Sequence, residues 1–184
     1  MTKKAIGFTV VLISLVMAVP LSAKGPAAGK NGESMGILTD EEIHHITYMR
    51  EEEKLARDVY LTLYEEYDAP IFANISESEQ RHMDALKNLI DKHGLEDPVT
   101  DDAIGVFTNA VFTKLYIELV GQGEMGYCDA LQVGIDIELL DIKDIDEALE
   151  DVTANDVERV FKNLVAGSWN HYNAFTSRYE ANCE

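Results

Sequence analysis

Glu79 and His82 stand three residues apart in SEQRHMDAL, and Glu53, Glu138 and His171 recur at similar places in three other helical-looking stretches. A Glu-x-x-His pair puts a carboxylate and an imidazole one turn apart on one helix face. Carboxylates can bridge two divalent ions and damp their repulsion, while each imidazole supplies one terminal nitrogen. Helical bundles with such centres take one Glu from each of two helices and Glu-x-x-His from the others. Three glutamates and two histidines here could therefore hold a metal pair.

Each of these residues interrupts an apolar stripe. Helix A is expected from Thr39, where Thr39 and Glu42 form a capping box, to Tyr67 before the Asp68-Ala69-Pro70 break. Its seam is Ile46, Met49, Glu53, Ala56, Tyr60, Leu63, Tyr67. Helix B, from Ile71 to His93 with Gly94 as its stop, has the seam Phe72, Ile75, Glu79, His82, Leu86, Leu89. Helix C starts near Tyr127 with Tyr127, Leu131, Gly134 and Glu138, and is expected to bend at Asp141–Asp144. Helix D, Asn155 to Tyr179, shows Val157, Phe161, Leu164, Ser168, His171, Phe175. These spacings of three and four mark core-facing stripes. A buried, unpaired carboxylate costs several kcal/mol, so acids in such positions are paired or bind metal.

The levels agree. Glu53 lies 15 residues before the turn at Asp68, and Glu79 and His82 lie 11 and 14 after it. Glu138 lies 14 residues before a turn near Val152, and His171 lies 19 after it. The fold expected is all-α: an antiparallel four-helix bundle, with a long B–C crossover containing an extra helix near Asn109 to Val120. Cys128 and Cys183, ten residues before Glu138 and twelve after His171, fall at the same end of helices C and D, and a disulfide between them is expected.

Several residues are set apart from the centre. Glu51 and Glu52 are read as solvated, His44 and His45 as exposed, His93 as matching the negative end of helix B, and Trp169 as packing. Tyr60, one heptad from Glu53, is either a hydrogen-bonding or redox-active neighbour of the centre or a packed core residue.

The first residues have a separate purpose. Lys3 and Lys4 precede an uncharged apolar stretch ending in Ser22-Ala23, the pattern of a secretory signal over 1–23; uncleaved, its roughly 20 apolar residues would suffice as a membrane anchor. Residues 24–37, rich in glycine and small polar residues, read as a flexible linker, and 38–184 as the folded domain. Without 1–23 the chain keeps 13 basic against 34 acidic side chains, a charge of −21 that makes nucleic acid an improbable partner. The expected location is secreted or extracytoplasmic, or the cell surface if the segment is retained.

The stretch Glu53-Lys54-Leu55-Ala56-Arg57-Asp58-Val59-Tyr60 resembles the E-x-x-A-R-x-x-Y pattern of rubrerythrins, in the ferritin-like superfamily, and Gly134 with Glu138 is similar to the same pattern. MREEEKLARDVY, SEQRHMDAL and GSWNH resemble the DUF2202 ferritin-like proteins more closely still. The resemblance implies a di-iron centre, or one with manganese or mixed iron–manganese, and oxidase or peroxidase chemistry on dioxygen or peroxide. The partners would be a small oxidant and an electron donor, with a homodimer as one assembly. Two departures stand out: Ser168 occupies the place of a helix-D glutamate, and Ile135 that of a further helix-C glutamate. Asp136 or Asp141 are candidate substitutes, though neither lies on the seam as drawn. The alternatives are a non-catalytic metal-binding or sensing bundle and a metal-free interaction bundle.

Overall fold

A computed structural model describes residues 37–183. The segment expected to be a signal, 1–23, and nearly all of the expected linker lie outside the described residues. Those described are all-helical, with α1 Asp40–Tyr67, α2 Pro70–His93, α3 Ala110–Gly123, α4 Tyr127–Asp151 and α5 Asn155–Cys183. None of these helices is long and apolar enough to cross a membrane.

The boundaries follow local chemistry. Thr39 accepts from the Glu42 amide at 3.1 Å while Glu42 accepts from the Thr39 amide at 2.9 Å, closing the capping box of α1. Asp68 ends α1 in the left-handed region (φ 47°), and Pro70 starts α2 with a fixed φ and no amide to satisfy. Only Asp68 and Ala69 separate the two helices, so α2 must fold back along α1. Gly94, at φ 66°, ends α2 in the left-handed region that glycine adopts without strain.

Helix α1 packs on α2 and α4 on α5, while α1–α4 and α2–α5 contacts close a helical bundle. Helix α3 lies on α1 and α4. Two apolar clusters fill the interior. One gathers Leu55, Tyr60, Leu63, Phe72, Leu131 and Phe175; the other gathers Ile46, Met49, Leu86, Ile145, Phe161 and Leu164. In every long helix the polar seam residues fall in sequence between these clusters. Cys128 and Cys183 are joined by a disulfide that ties the first turn of α4 to the end of α5.

Two expectations are corrected. Helix α4 runs unbroken from Tyr127 to Asp151 through the acidic stretch read as a bend. Asp141 is buried there against Ser168, and Asp144 pairs with Lys143 at 2.9 Å, so neither acid draws the backbone toward water. Glu51 and Glu52 are buried, not solvated. Glu51 accepts from the amides of Thr108 (2.6 Å) and Asn109 (3.1 Å) just ahead of α3, which satisfies backbone donors of the crossover.

Glu42 joins distant segments. Its Oε1 accepts from the amides of Thr153 (2.7 Å) and Ala154 (2.8 Å) at the entry to α5. Burial opposes its charge, but these amides and that of Thr39 outweigh burial and hold its pKa at about 2, below the ordinary 4.5. The stability it contributes is present above pH 4.5 and is lost as pH falls through 2. Glu42→Gln is expected to cost about 1.5–3 kcal/mol at pH 7, and less in acid, as read by the urea midpoint across pH.

Candidate metal centre

The residues that interrupt the apolar seams meet inside the bundle. Ligand atoms of Glu53, Glu79 and His82 all lie within 4.8 Å of one another, and those of Glu79, Glu138 and His171 do the same. Glu79 belongs to both groups. Its Oε2 is 2.8 Å from His82 Nδ1, and its Oε1 is 2.8 Å from His171 Nδ1. Glu53 Oε2 approaches His82 Nδ1 at 3.1 Å, Glu138 Oε2 approaches His171 Nδ1 at 3.4 Å, and the two imidazoles stack with centroids 5.5 Å apart. The three glutamates are almost wholly buried, whereas the histidine side chains are 13% and 10% exposed. The histidines are thus the least buried members of the two groups.

Tyr60 is both a packed core residue and a neighbour of the centre. It is fully buried against Phe72 and Phe175, and its hydroxyl donates to Glu138 Oε1 at 2.7 Å. Glu138 is thereby held with its other oxygen toward His171. Burial, and then the Glu138 charge, raise the Tyr60 pKa well above 10, so the phenol stays a donor.

Part of this cluster is left without hydrogen bonds. Glu53 Oε1, Glu79 Oε1 and His171 Nδ1 are buried and unpartnered among the described residues, because the short His171–Glu79 approach lacks hydrogen-bond alignment. Buried polar atoms in native folds are ordinarily satisfied, so this group asks for something between its atoms. Its oxygen and imidazole donors suit divalent iron or manganese.

The electrostatics point the same way. Burial raises Glu53, with Glu79 adding to it and His82 opposing, to about 7. Burial and the Glu79 charge bring Glu138 to about 8. Burial would also raise Glu79, but the two imidazoles outweigh it and hold Glu79 at about 2. Burial would lower the histidines, yet the adjacent carboxylates lift His82 to about 11 and His171 to about 10. Without metal, protons balance the buried charge; divalent ions would displace them.

Two functional features escaped the seam reading. Asp141 is buried one turn beyond Glu138, and Ser168 donates its hydroxyl to Asp141 Oδ2. The serine in place of an acid thus faces an acid from α4. Asp136, the other candidate substitute, is exposed. The seam of α4 continues through Asp141, Ile142 and Ile145, a spacing that extending the Gly134–Glu138 pattern would have found. The second feature is Gly167, where a Cβ would come within 2.5 Å of His82 Nε2. Alanine is ordinarily worth about 1 kcal/mol over glycine within a helix. In Gly167→Ala that gain is opposed by the loss of the His82 contacts to buried Glu53 and Glu79, and the variant is expected to displace His82 and weaken metal retention about tenfold or more, as read by competition with a chelator.

The remaining histidines lie elsewhere. His44 is exposed, and His45 is half-buried, 3.5 Å from Asp151, where the sequence reading had placed it in solvent. His93 meets Asp156 at 2.8 Å at the end of α2. Trp169 is 45% exposed and packs edge-on against Tyr172.

A family model described as an uncharacterized protein domain, DUF2202, matches residues 42–184. The chain belongs to the DUF2202 family. All five residues of the two ligand groups, with Asp141, Gly167 and Ser168, fall inside the matched span. This DUF2202 chain is 50% identical over 138 residues to the uncharacterized protein MJ0754 of Methanocaldococcus jannaschii, 75% of each chain. The crystal structure of hypothetical protein MJ0754 from Methanococcus jannaschii DSM 2661 is similar with a TM-score of 0.78 and 45% identity, over 85% of this chain and 86% of that one. The crystal structure of a DUF305 fragment from Deinococcus radiodurans has a TM-score of 0.58 at 16% identity, over 78% of this DUF2202 chain and 97% of the fragment, a likeness of fold alone.

Proposed function

We propose that this DUF2202 chain is an exported, ferritin-like metal protein that holds two ions, iron or iron with manganese, and acts as an oxidase or peroxidase on dioxygen or peroxide. In this reading α1, α2, α4 and α5 are the antiparallel four-helix bundle and α3 is the extra helix of the crossover. The observation that carries it is the pair of carboxylate–histidine groups sharing Glu79 between the two apolar clusters of the bundle. Glu53 and His82 would hold one ion, Glu138 and His171 the other, and Glu79 would bridge. Bound iron would supply the one-electron steps that reduction of dioxygen or peroxide needs, with electrons from an external donor.

The side chains have distinct parts in this. Glu79 spreads one negative charge over two positions. Tyr60 holds Glu138 by its second oxygen and keeps that carboxylate from turning away. The apolar clusters on either side exclude bulk water, and a small oxidant would reach the ions past the histidines, the least buried of the ligands. The apolar segment after Lys3-Lys4 and the disulfide between α4 and α5 support export, since disulfides persist in oxidising compartments.

Anaerobic loading with ferrous iron followed by rapid mixing with peroxide or dioxygen tests the redox assignment. Oxidation of bound iron at least about tenfold faster than in Glu53→Ala is expected. Bound iron that oxidises no faster than in the variant would leave a non-catalytic metal binder or sensor, the reading that Ser168 in place of a fourth carboxylate favours.

A further inference from the structure

Eight large apolar side chains are exposed among the described residues, and five of them, Ile104, Val106, Val111, Ile117 and Met125, belong to α3 and its two flanks. Helix α3 turns Phe112 and Leu115 to the core. Its other face presents Val111 (59% exposed), Lys114, Ile117 (65% exposed), Glu118 and Gly121, at helical spacings of three and four. Ile104 and Val106 flank Gly105, which lies against the Tyr116 ring, so this segment runs beside α3. Single exposed apolar residues are ordinary, but their concentration on one element marks a contact surface.

Gly121 gives a second sign. Its φ is not positive, and a Cβ there would meet nothing within 4 Å. Glycine in a helix is a weaker choice than alanine, and the packing of this chain does not require it at 121. Close approach of another backbone does. Charge selects the occupant. Helices α1 and α4 each carry nine acidic side chains, against three and one basic, whereas α3 carries only Lys114 and Glu118. Two copies of so acidic a chain repel where acidic surfaces meet, and come together most easily across a neutral, apolar face. Lys114 and Glu118 are 77% and 58% exposed and 3.6 Å apart, which leaves both free to take a closer partner. A two-fold pairing of antiparallel α3 helices sets Lys114 opposite Glu118 of the second copy. The same register sets Val111 over Gly121 of that copy, because both pairs are symmetric about position 116.

We propose that the outer face of α3 is the contact surface of a two-fold homodimer, in which two α3 helices pack antiparallel through Val111, Ile117 and Gly121 with reciprocal Lys114–Glu118 pairs. At about 21 Å long, α3 offers less area than a permanent interface, so the dimer is reversible and its dissociation constant micromolar. No residue of the metal centre takes part, so the pairing and the centre can fail separately.

Sedimentation velocity of the full chain over a concentration series, with the charge variants Lys114→Glu and Glu118→Lys, tests this directly. Wild type is expected to pass reversibly from monomer to dimer. Each variant alone is expected to dimerise at least about tenfold more weakly, because like charges then face each other across the axis. An equimolar mixture of the two is expected to recover dimers, now of one chain of each kind, since each supplies the charge the other lacks. Both positions are exposed, so helix content and the urea midpoint should match wild type. Ile117→Asp, also at an exposed position, is expected to remain monomeric throughout the series. Wild type that stays monomeric to about 0.5 mM, variants that sediment like wild type, or a mixture that recovers no dimer would each overturn the proposal. A monomeric wild type that floats with phosphatidylcholine vesicles, and an Ile117→Asp variant that does not, would give the face to a membrane instead.

Discussion

Glu79→Gln is expected to empty both metal positions at once. Loss of an outer-shell partner typically costs 10–100-fold in metal affinity, so loss of a shared ligand should exceed about 100-fold. Glu53→Gln should weaken one position and spare the group around His171, because the two groups have only Glu79 in common. Equilibrium dialysis of each variant against ferrous or manganous ion reads the difference. Binding should also be pH-dependent. Metal must displace protons from Glu53 and Glu138, held at about 7 and about 8, and from His82 and His171, held at about 11 and about 10. Affinity is therefore expected to rise as pH goes from 5 to 8, with protons released on binding. In the metal-free chain the sign for the histidines is opposite: their contribution to stability is full below pH 6.5 and is lost as pH rises through 10–11.

Asp58→Ala is expected to cause the largest loss of stability, about 3–5 kcal/mol in the denaturant midpoint, because it leaves buried Lys54 without a counter-charge and takes from Arg57 its buried one. Asp58 is wholly buried and accepts from Lys54 Nζ at 2.5 Å, from Arg57 Nε at 3.0 Å and from the Gly105 amide at 2.9 Å. Lys54 in turn donates to the Ala103 carbonyl at 2.8 Å, and Arg57 to Asp102 at 2.8 Å. This one carboxylate therefore pins the chain between α2 and α3 to the back of α1. Gly105 sits there at φ 76°, and a Cβ would come within 2.7 Å of the Tyr116 ring, so the segment has little freedom to rearrange. Metal content per folded chain should change little in Asp58→Ala, since Asp58 belongs to neither ligand group; a proportionate loss of both would show the crossover to be coupled to the centre.

Most helix boundaries were legible because they are local. The Thr39–Glu42 box, Pro70, Gly94 and the two-residue break at Asp68 act within a few residues, and period alone put Glu53, Glu79, His82, Glu138 and His171 on inward faces. The disulfide was legible from counting rises along two helices. The failures share another cause. Glu51, Glu52 and Asp141 are acids whose burial depends on partners more than 25 residues away or, for Glu52, on none among the described residues; adjacent like charges look solvated until the neighbouring helices are in place. Asp141 and Asp144 likewise made α4 look broken where it runs straight through. Gly167 was invisible because its effect is the room it leaves for a ring on another helix.

The central claim is that two metal ions share Glu79, and metal content tests it most directly. The full chain, purified after expression in medium supplemented with iron, is expected to carry about two iron or manganese ions per chain, and Glu79→Gln close to none. Wild-type protein that folds with no bound iron or manganese, and takes up none on anaerobic loading, would contradict the account and leave a metal-free bundle.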